Sequence, residues 1–195
     1  LKLKSPRNDI LILNKSMRFK NIYVPSQTLN IVSGWWAPEF KTAFDLISKN
    51  IKSRFRHEKI YVSRAKLPEG NRVYGEDCVQ RVFEKNGFKV IYPETMSITQ
   101  QIAMIKNAKI LAGCAGTALH LSLFMKDGTR VVQLNRTKSV KDNGQIQYRL
   151  CKAKNQGLDI IAASVEEKEE LPYWDHRTKL LQDYRVLQGT VHQYQ

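Results

Sequence analysis

The amino-acid sequence predicts an α/β domain with a mostly parallel sheet and helices on both faces. Three observations carry this reading. β-rich runs and segments of helical periodicity alternate at least four times between residues 59 and 163, and the connections between them are short. One connection, Gly113-Cys114-Ala115-Gly116, leads from an apolar strand directly into an apolar helix. Strands that alternate with helices through short links become parallel neighbours joined by crossovers, which puts the helices on the sheet faces.

The elements follow in order. Asp9-Ile10-Leu11-Ile12-Leu13 and Asn21-Ile22-Tyr23-Val24 read as short strands, the second stopped by Pro25-Ser26. Pro38 suits a first helical turn, and Phe40, Ala43, Phe44, Ile47 and Ile51 recur at helical spacing behind it. Lys59 to Ser63 is a strand, followed by a turn-forming loop, Leu67-Pro68-Glu69-Gly70-Asn71. A helix from Glu76 to Asn86 has Val79, Val82 and Phe83 on one face and Gly87 at its stop position, and Phe88 to Tyr92 is the next strand. Ser97 with Gln100 forms a capping box, after which Ile98, Ile102 and Ile105 mark a helix. Lys109 to Ala112 is a strand, Thr117 to Met125 a helix, and Asp127-Gly128 turns the chain into a strand from Thr129 to Leu134. Beyond it come an exposed loop from Ser139, a helix from Ile146 to Lys154 stopped near Gly157, and a strand from Asp159 to Ala163. Glu166 to Glu170 reads as an acidic hinge and Lys179 to Leu187 as a closing helix. The expected division is residues 1–56 (strands and a long helix leading to a further half), 57–165 (a Rossmann-like domain) and 166–195 (hinge and last helix).

The bulk numbers bound the function. A chain of 195 residues, 42% hydrophobic, holds one α/β domain with a core and not two full ones. It opens on Leu1-Lys2-Leu3-Lys4 and reads as a piece of something longer. Three widely spaced cysteines, Cys78, Cys114 and Cys151, favour free thiols in a reducing compartment, so cytoplasm is expected, at or near the inner face of a membrane. The net charge of +14 attracts polyanions: phosphorylated substrates, an anionic membrane surface or nucleic acid. The uncharged run from Ile110 to Met125 is shorter than the ~20 residues that cross a bilayer, and it reads as a buried strand turning into a buried helix.

Ligands of such sheets bind at the carboxyl ends of the strands, which narrows the search for chemistry. At Gly113 to Thr117 the backbone donors and positive end of a helix converge on one place, where a phosphate fits; Gly116 lets the backbone approach, and Thr117 adds a hydroxyl. The same turn is also ordinary α/β architecture. Arg64 lies just past one strand, and Arg72 follows a Pro- and Gly-containing loop, so both can sit over that edge. A charge-assisted hydrogen bond is worth about 1.5 to 3 kcal/mol, against roughly 0.3 to 1 for a helix terminus, so the arginines should dominate anion binding. Glu94, after Tyr92-Pro93, suits a ribose. Glu76 and His120 are weaker candidates for catalysis: the first also suits its helix dipole, the second a polar core position. Trp35 and Trp36 suit packing beneath the following helix better than a stacking platform. With no Asp-X-Asp and no ligand-spaced His/Cys/Asp cluster, metal dependence is disfavoured, and no Gly-X-Ser-X-Gly elbow is present.

Taken together, Lys59 to Arg64, then Arg72, Glu76, Gly87-Phe88, Pro93-Glu94, Gln101-Ile102, Ala108, Gly113, Gly116 and Leu123-Phe124-Met125 form a pattern that resembles glycosyltransferase family 61 from about Lys59 to Leu134. The resemblance implies half of a GT-B architecture, two Rossmann-like domains facing across a cleft, with this chain as the C-terminal, donor-holding half. It implies inverting transfer from a nucleotide sugar, UDP-linked by expectation, with no cofactor, to a glycan or lipid-linked glycan acceptor. Bacterial capsular polysaccharide enzymes belong to the family. The resemblance carries donor binding onto Arg64, Arg72, Gly113 and Gly116, and onto Glu94. Many members have His-Gly where this chain has Ala115-Gly116. The partner implied is an N-terminal half of the same enzyme. The rival readings are a basic nucleic-acid-binding module, which no recognition motif supports, and a regulatory Rossmann-like domain without turnover.

Overall fold

The computed structural model describes residues 11–68, 75–135 and 145–162. Five strands, β1 (Lys59–Val62), β2 (Lys89–Ile91), β3 (Ile110–Cys114), β4 (Arg130–Asn135) and β5 (Gly157–Ala162), form one sheet in the order β2-β1-β3-β4-β5. Every adjacent pair is parallel. Four α-helices, α1 (Pro38–Asn50), α2 (Glu76–Lys85), α3 (Ile98–Ile105) and α4 (Gln145–Ala153), accompany it, with a 3-10 helix at Thr117–Phe124. This is the Rossmann-like α/β arrangement expected from the alternating pattern.

The central strands are buried on both faces, and alternate residues feed two cores. Tyr61, Ala112, Val132 and Leu134 meet Val79, Val82 and Phe83 of α2 on one face. Ile60, Val62, Leu111 and Val131 meet Met104 and Ile105 of α3, Leu119 of the 3-10 helix and Cys151 of α4 on the other. Phe83 stacks on Tyr61 at 4.6 Å between centroids and takes Phe88 edge-on at 4.9 Å, contacts worth about 0.5 to 1.5 kcal/mol each beyond the area they bury.

Helix ends follow their sequence signals with one revision. Ser97 and Gln100 make the reciprocal capping box of α3. Gly87, at φ +81°, ends α2 in a Schellman turn, Phe88 N–H donating to Phe83 O at 3.0 Å and Gly87 N–H to Glu84 O at 3.0 Å. Helix α4 closes in the same way on Asn155, at φ +50°, with Gln156 N–H on Cys151 O at 2.8 Å. Asn tolerates the left-handed region, so Gly157 is free to begin β5 and is not the helix stop that the sequence suggests.

Three further expectations are corrected. Residues 11–13 and 21–24 carry no regular structure and are exposed, because a β-prone run forms a strand only where a neighbour offers its hydrogen bonds. Trp35 and Trp36 are not packed under α1; they stay 56% and 38% exposed, Trp36 pairing in an isolated bridge with Leu29. The segment after Gly116 is a 3-10 helix rather than an α-helix, with Leu119 N–H on Gly116 O at 3.1 Å. Its apolar residues fall on every side, so no stripe of 3.6-residue period selects the wider spiral.

Helix α1 lies over the 3-10 helix, Phe44 meeting Phe124 edge-on at 5.2 Å. The Lys106 ammonium donates to Ser48 O and Ile51 O at its C-terminal end, and the fully buried Lys154 pairs with Asp45 and, at 3.8 Å, with Asp127. Among the described residues no helix is long and apolar enough to cross a membrane. Arg72, the loop from Ser139, the acidic run Glu166 to Glu170 and the segment Lys179 to Leu187 lie outside the described residues.

Candidate functional site

The chain runs from β1 to β2 on one side and returns to β3 on the other, so the strand order reverses between β1 and β3. At such a reversal the two connections diverge and leave a crevice at the carboxyl edge, where ligands of open parallel sheets bind. Arg64 stands two residues beyond β1, and Gly116 two residues beyond β3. The fold therefore brings these two expected residues to opposite lips of the same crevice.

Their contact is close. A Cβ placed on Gly116 would lie 2.9 Å from Arg64 Nη1, so the guanidinium occupies the space a side chain would take. Gly116 also has φ +154°, which L side chains rarely adopt. Gly116 opens the 3-10 helix, whose first backbone N–H groups have no partner within the helix. Thr117 is exposed at that opening, while Ala115 N–H donates back to Leu134 O at 2.8 Å and fixes the turn to β4.

Gly113 has a different place. It belongs to β3, opposite Val62, and a Cβ there would meet Val62 Cγ2 at 2.5 Å and Val62 O at 2.9 Å. The close approach of two strands explains this glycine.

Glu76 is the first residue of α2 and is only 1% exposed. Its Oε1 accepts from Arg64 N–H at 2.8 Å and from Tyr61 Oη–H at 3.1 Å. Burial raises its pKa above the usual carboxylate value; those two hydrogen bonds and the Arg64 charge act in the opposite direction, while the Glu94 carboxylate adds to the rise. Glu94 is exposed in the 3-10 turn Pro93–Thr95 that follows β2. His120, in the second turn of the 3-10 helix, is half-buried, and burial lowers its pKa, which keeps the imidazole uncharged at neutral pH.

Two features escaped the sequence reading. Lys66 places its ammonium over the Tyr92 ring at 4.1 Å, adding a second cation at the β1–β2 end of the edge. Asn135 ends β4 fully buried, its Oδ1 accepting from Gln133 Nε2 at 2.8 Å. A search for cations just past each strand end would have found Lys66. The inward amides of β4 break the apolar alternation and signal themselves only as polar residues in a core strand. Among the described residues no three His, Cys, Asp or Glu side chains gather as a metal-binding group.

A half-buried arginine set against a glycine-opened helix at the reversal of a parallel sheet makes this a Rossmann-like domain with a cationic crevice. The profile of the family described as Glycosyltransferase 61 matches residues 5–132, about two thirds of the chain, and the chain belongs to that family. It is thus a glycosyltransferase, and membership implies a nucleotide-sugar donor and a glycan acceptor. The match starts well upstream of Lys59, so α1 and the segment before it belong to the family region as well. No curated protein matches the chain.

Proposed function

We propose that this chain is the donor-binding portion of an inverting, metal-independent glycosyltransferase of GT-B architecture, acting in surface or capsular polysaccharide synthesis. Arg64 and the helix opening at Gly116 and Thr117 hold the diphosphate of a nucleotide sugar, UDP-linked by preference; Arg72 joins them, and Glu94 takes the ribose. Charge that develops on the departing diphosphate meets a guanidinium and backbone donors already in position, which is electrostatic catalysis without reorganisation. The glycan or lipid-linked glycan acceptor approaches from a facing domain, and the basic surface suits the inner face of an anionic membrane. The observation that carries this reading is the seat of Arg64 Nη1 against Gly116 at the strand-order reversal.

Thermal unfolding with UDP, GDP and CDP tests it. Ligand at 100 times its dissociation constant adds about 2.7 kcal/mol of stability. UDP should raise the unfolding midpoint of the wild type and leave that of Arg64→Ala unmoved. A folded wild type that responds to none of the three nucleotides would falsify the reading, and affinity for DNA that falls steeply with salt and survives Arg64→Ala would replace it with the nucleic-acid alternative.

A further inference from the structure

We infer that Glu76 is the positioning residue for Arg64: its buried carboxylate captures the Arg64 backbone N–H where β1 ends and so sets the guanidinium against Gly116. This rests on the reading of Arg64 as a diphosphate ligand. The sheet ladder ends one residue earlier, with Ser63 N–H on Ile91 O at 2.9 Å. The paired register of β1 with β2 runs only to Val62, and the Arg64 N–H finds an acceptor on the first residue of α2, at 2.8 Å. Helical spacing makes this possible: Glu76 lies three and seven residues before Val79 and Phe83, on the buried face of α2, and Gly75 at φ +77° caps the helix just ahead of it.

A role in the helix dipole alone does not account for the arrangement. An acidic first-turn side chain complements the dipole from an exposed position, as Asp77 does beside it while pairing with Arg81 at 3.5 Å. Glu76 is buried, which costs free energy unless its oxygens are bonded. Only Oε1 is bonded, while Oε2 has no hydrogen-bond partner among the described residues. The bonded oxygen is held from a second side by Tyr61 Oη, whose ring is stacked on Phe83. The result is a rigid chain from the core through Tyr61 and Glu76 to the Arg64 backbone.

Two variants of the full chain, titrated calorimetrically with UDP, test the inference. Glu76→Gln keeps an acceptor oxygen at the same reach and removes a negative charge beside the anion site, so UDP should bind within about threefold of wild type or more tightly. Glu76→Asp withdraws the acceptor by one methylene, and affinity should fall about tenfold, or 1.4 kcal/mol. Hydrogen exchange of the Arg64 amide supplies a reading independent of ligand and of any folding defect in the Asp variant: protection is expected in wild type and Glu76→Gln. An unprotected Arg64 amide in wild type overturns the inference, as does a tenfold loss in Glu76→Gln or unchanged binding in a folded Glu76→Asp. If wild type binds UDP and Arg64→Ala does not, those results sink the positioning role alone. If wild type binds no nucleoside diphosphate, both readings fall.

Discussion

Replacing Gly113 by Ala separates packing from ligand binding at the edge where the sequence placed both glycines together. The added methyl would stand 2.5 Å from Val62 Cγ2, 2.9 Å from Val62 O and 3.4 Å from Leu119 Cδ2. Rotating Val62 moves the first atom but not the carbonyl, which belongs to the strand directly opposite. β1 and β3 must therefore part by several tenths of an ångström, an overpacking expected to cost roughly 1 to 3 kcal/mol. At about 2 to 4 °C per kcal/mol for a chain of this size, the unfolding midpoint should fall by roughly 2 to 12 °C. Far-UV circular dichroism on heating measures this, with UDP affinity determined below the transition and expected to hold within about threefold. An unchanged midpoint, or a loss of UDP affinity at an unchanged midpoint, would refute the reasoning. Gly116→Ala differs in its effect on binding: its methyl meets the tip of the Arg64 side chain at 2.9 Å, with Cys114 O at 4.0 Å, so affinity should fall at least tenfold. Strain at φ +154° adds roughly 1 to 3 kcal/mol of destabilisation.

Ser97→Ala removes one arm of the α3 capping box and should lower stability by about 1 kcal/mol in urea unfolding, leaving UDP binding unaltered. The Lys154 cluster should respond asymmetrically. Removing Asp45 and Asp127 together strands a buried ammonium and should cost about 3 to 5 kcal/mol, whereas Lys154→Met leaves two half-exposed carboxylates that water can solvate and should cost less, as paired urea titrations will show. Glu76 fixes a pH dependence. Its folded pKa is raised above 4.5 by burial, so its contribution is full below pH 4.5 and is lost as pH rises through the folded value. Against Glu76→Gln, the wild-type urea midpoint should decline with pH above 4.5; parallel profiles would contradict the assignment.

The strand and helix order was readable from β1 to β5 because each element announces itself locally, through β-rich runs, Gly87 and the Ser97–Gln100 box. What failed depended on neighbours the sequence does not display. Leu11 to Leu13 and Asn21 to Val24 have strand composition without a partner strand. Thr117 to Phe124 is apolar on all sides, so its period gave no choice between spirals. The meeting of Arg64 with Gly116 followed from strand ends alone, since both residues come just past parallel strands that turned out to be adjacent. Glu76 was harder: a first-turn acid usually faces solvent, and this one lies on the buried face that Val79 and Phe83 mark by helical spacing. Lys66 over Tyr92 joins two different strand ends, and the pairing of β1 with β2 had to be known first.

The tighter winding after Gly116 changes which side chains stand in line. With three residues to a turn, positions three apart eclipse one another, so Thr117 and His120 share a single ridge where a wider coil would splay them. Under the proposed donor site, an anion entering at the helix opening would therefore meet the exposed Thr117 one turn before the half-buried His120. On that proposal, the length of the side chain at position 117 sets how far a bound group descends toward His120.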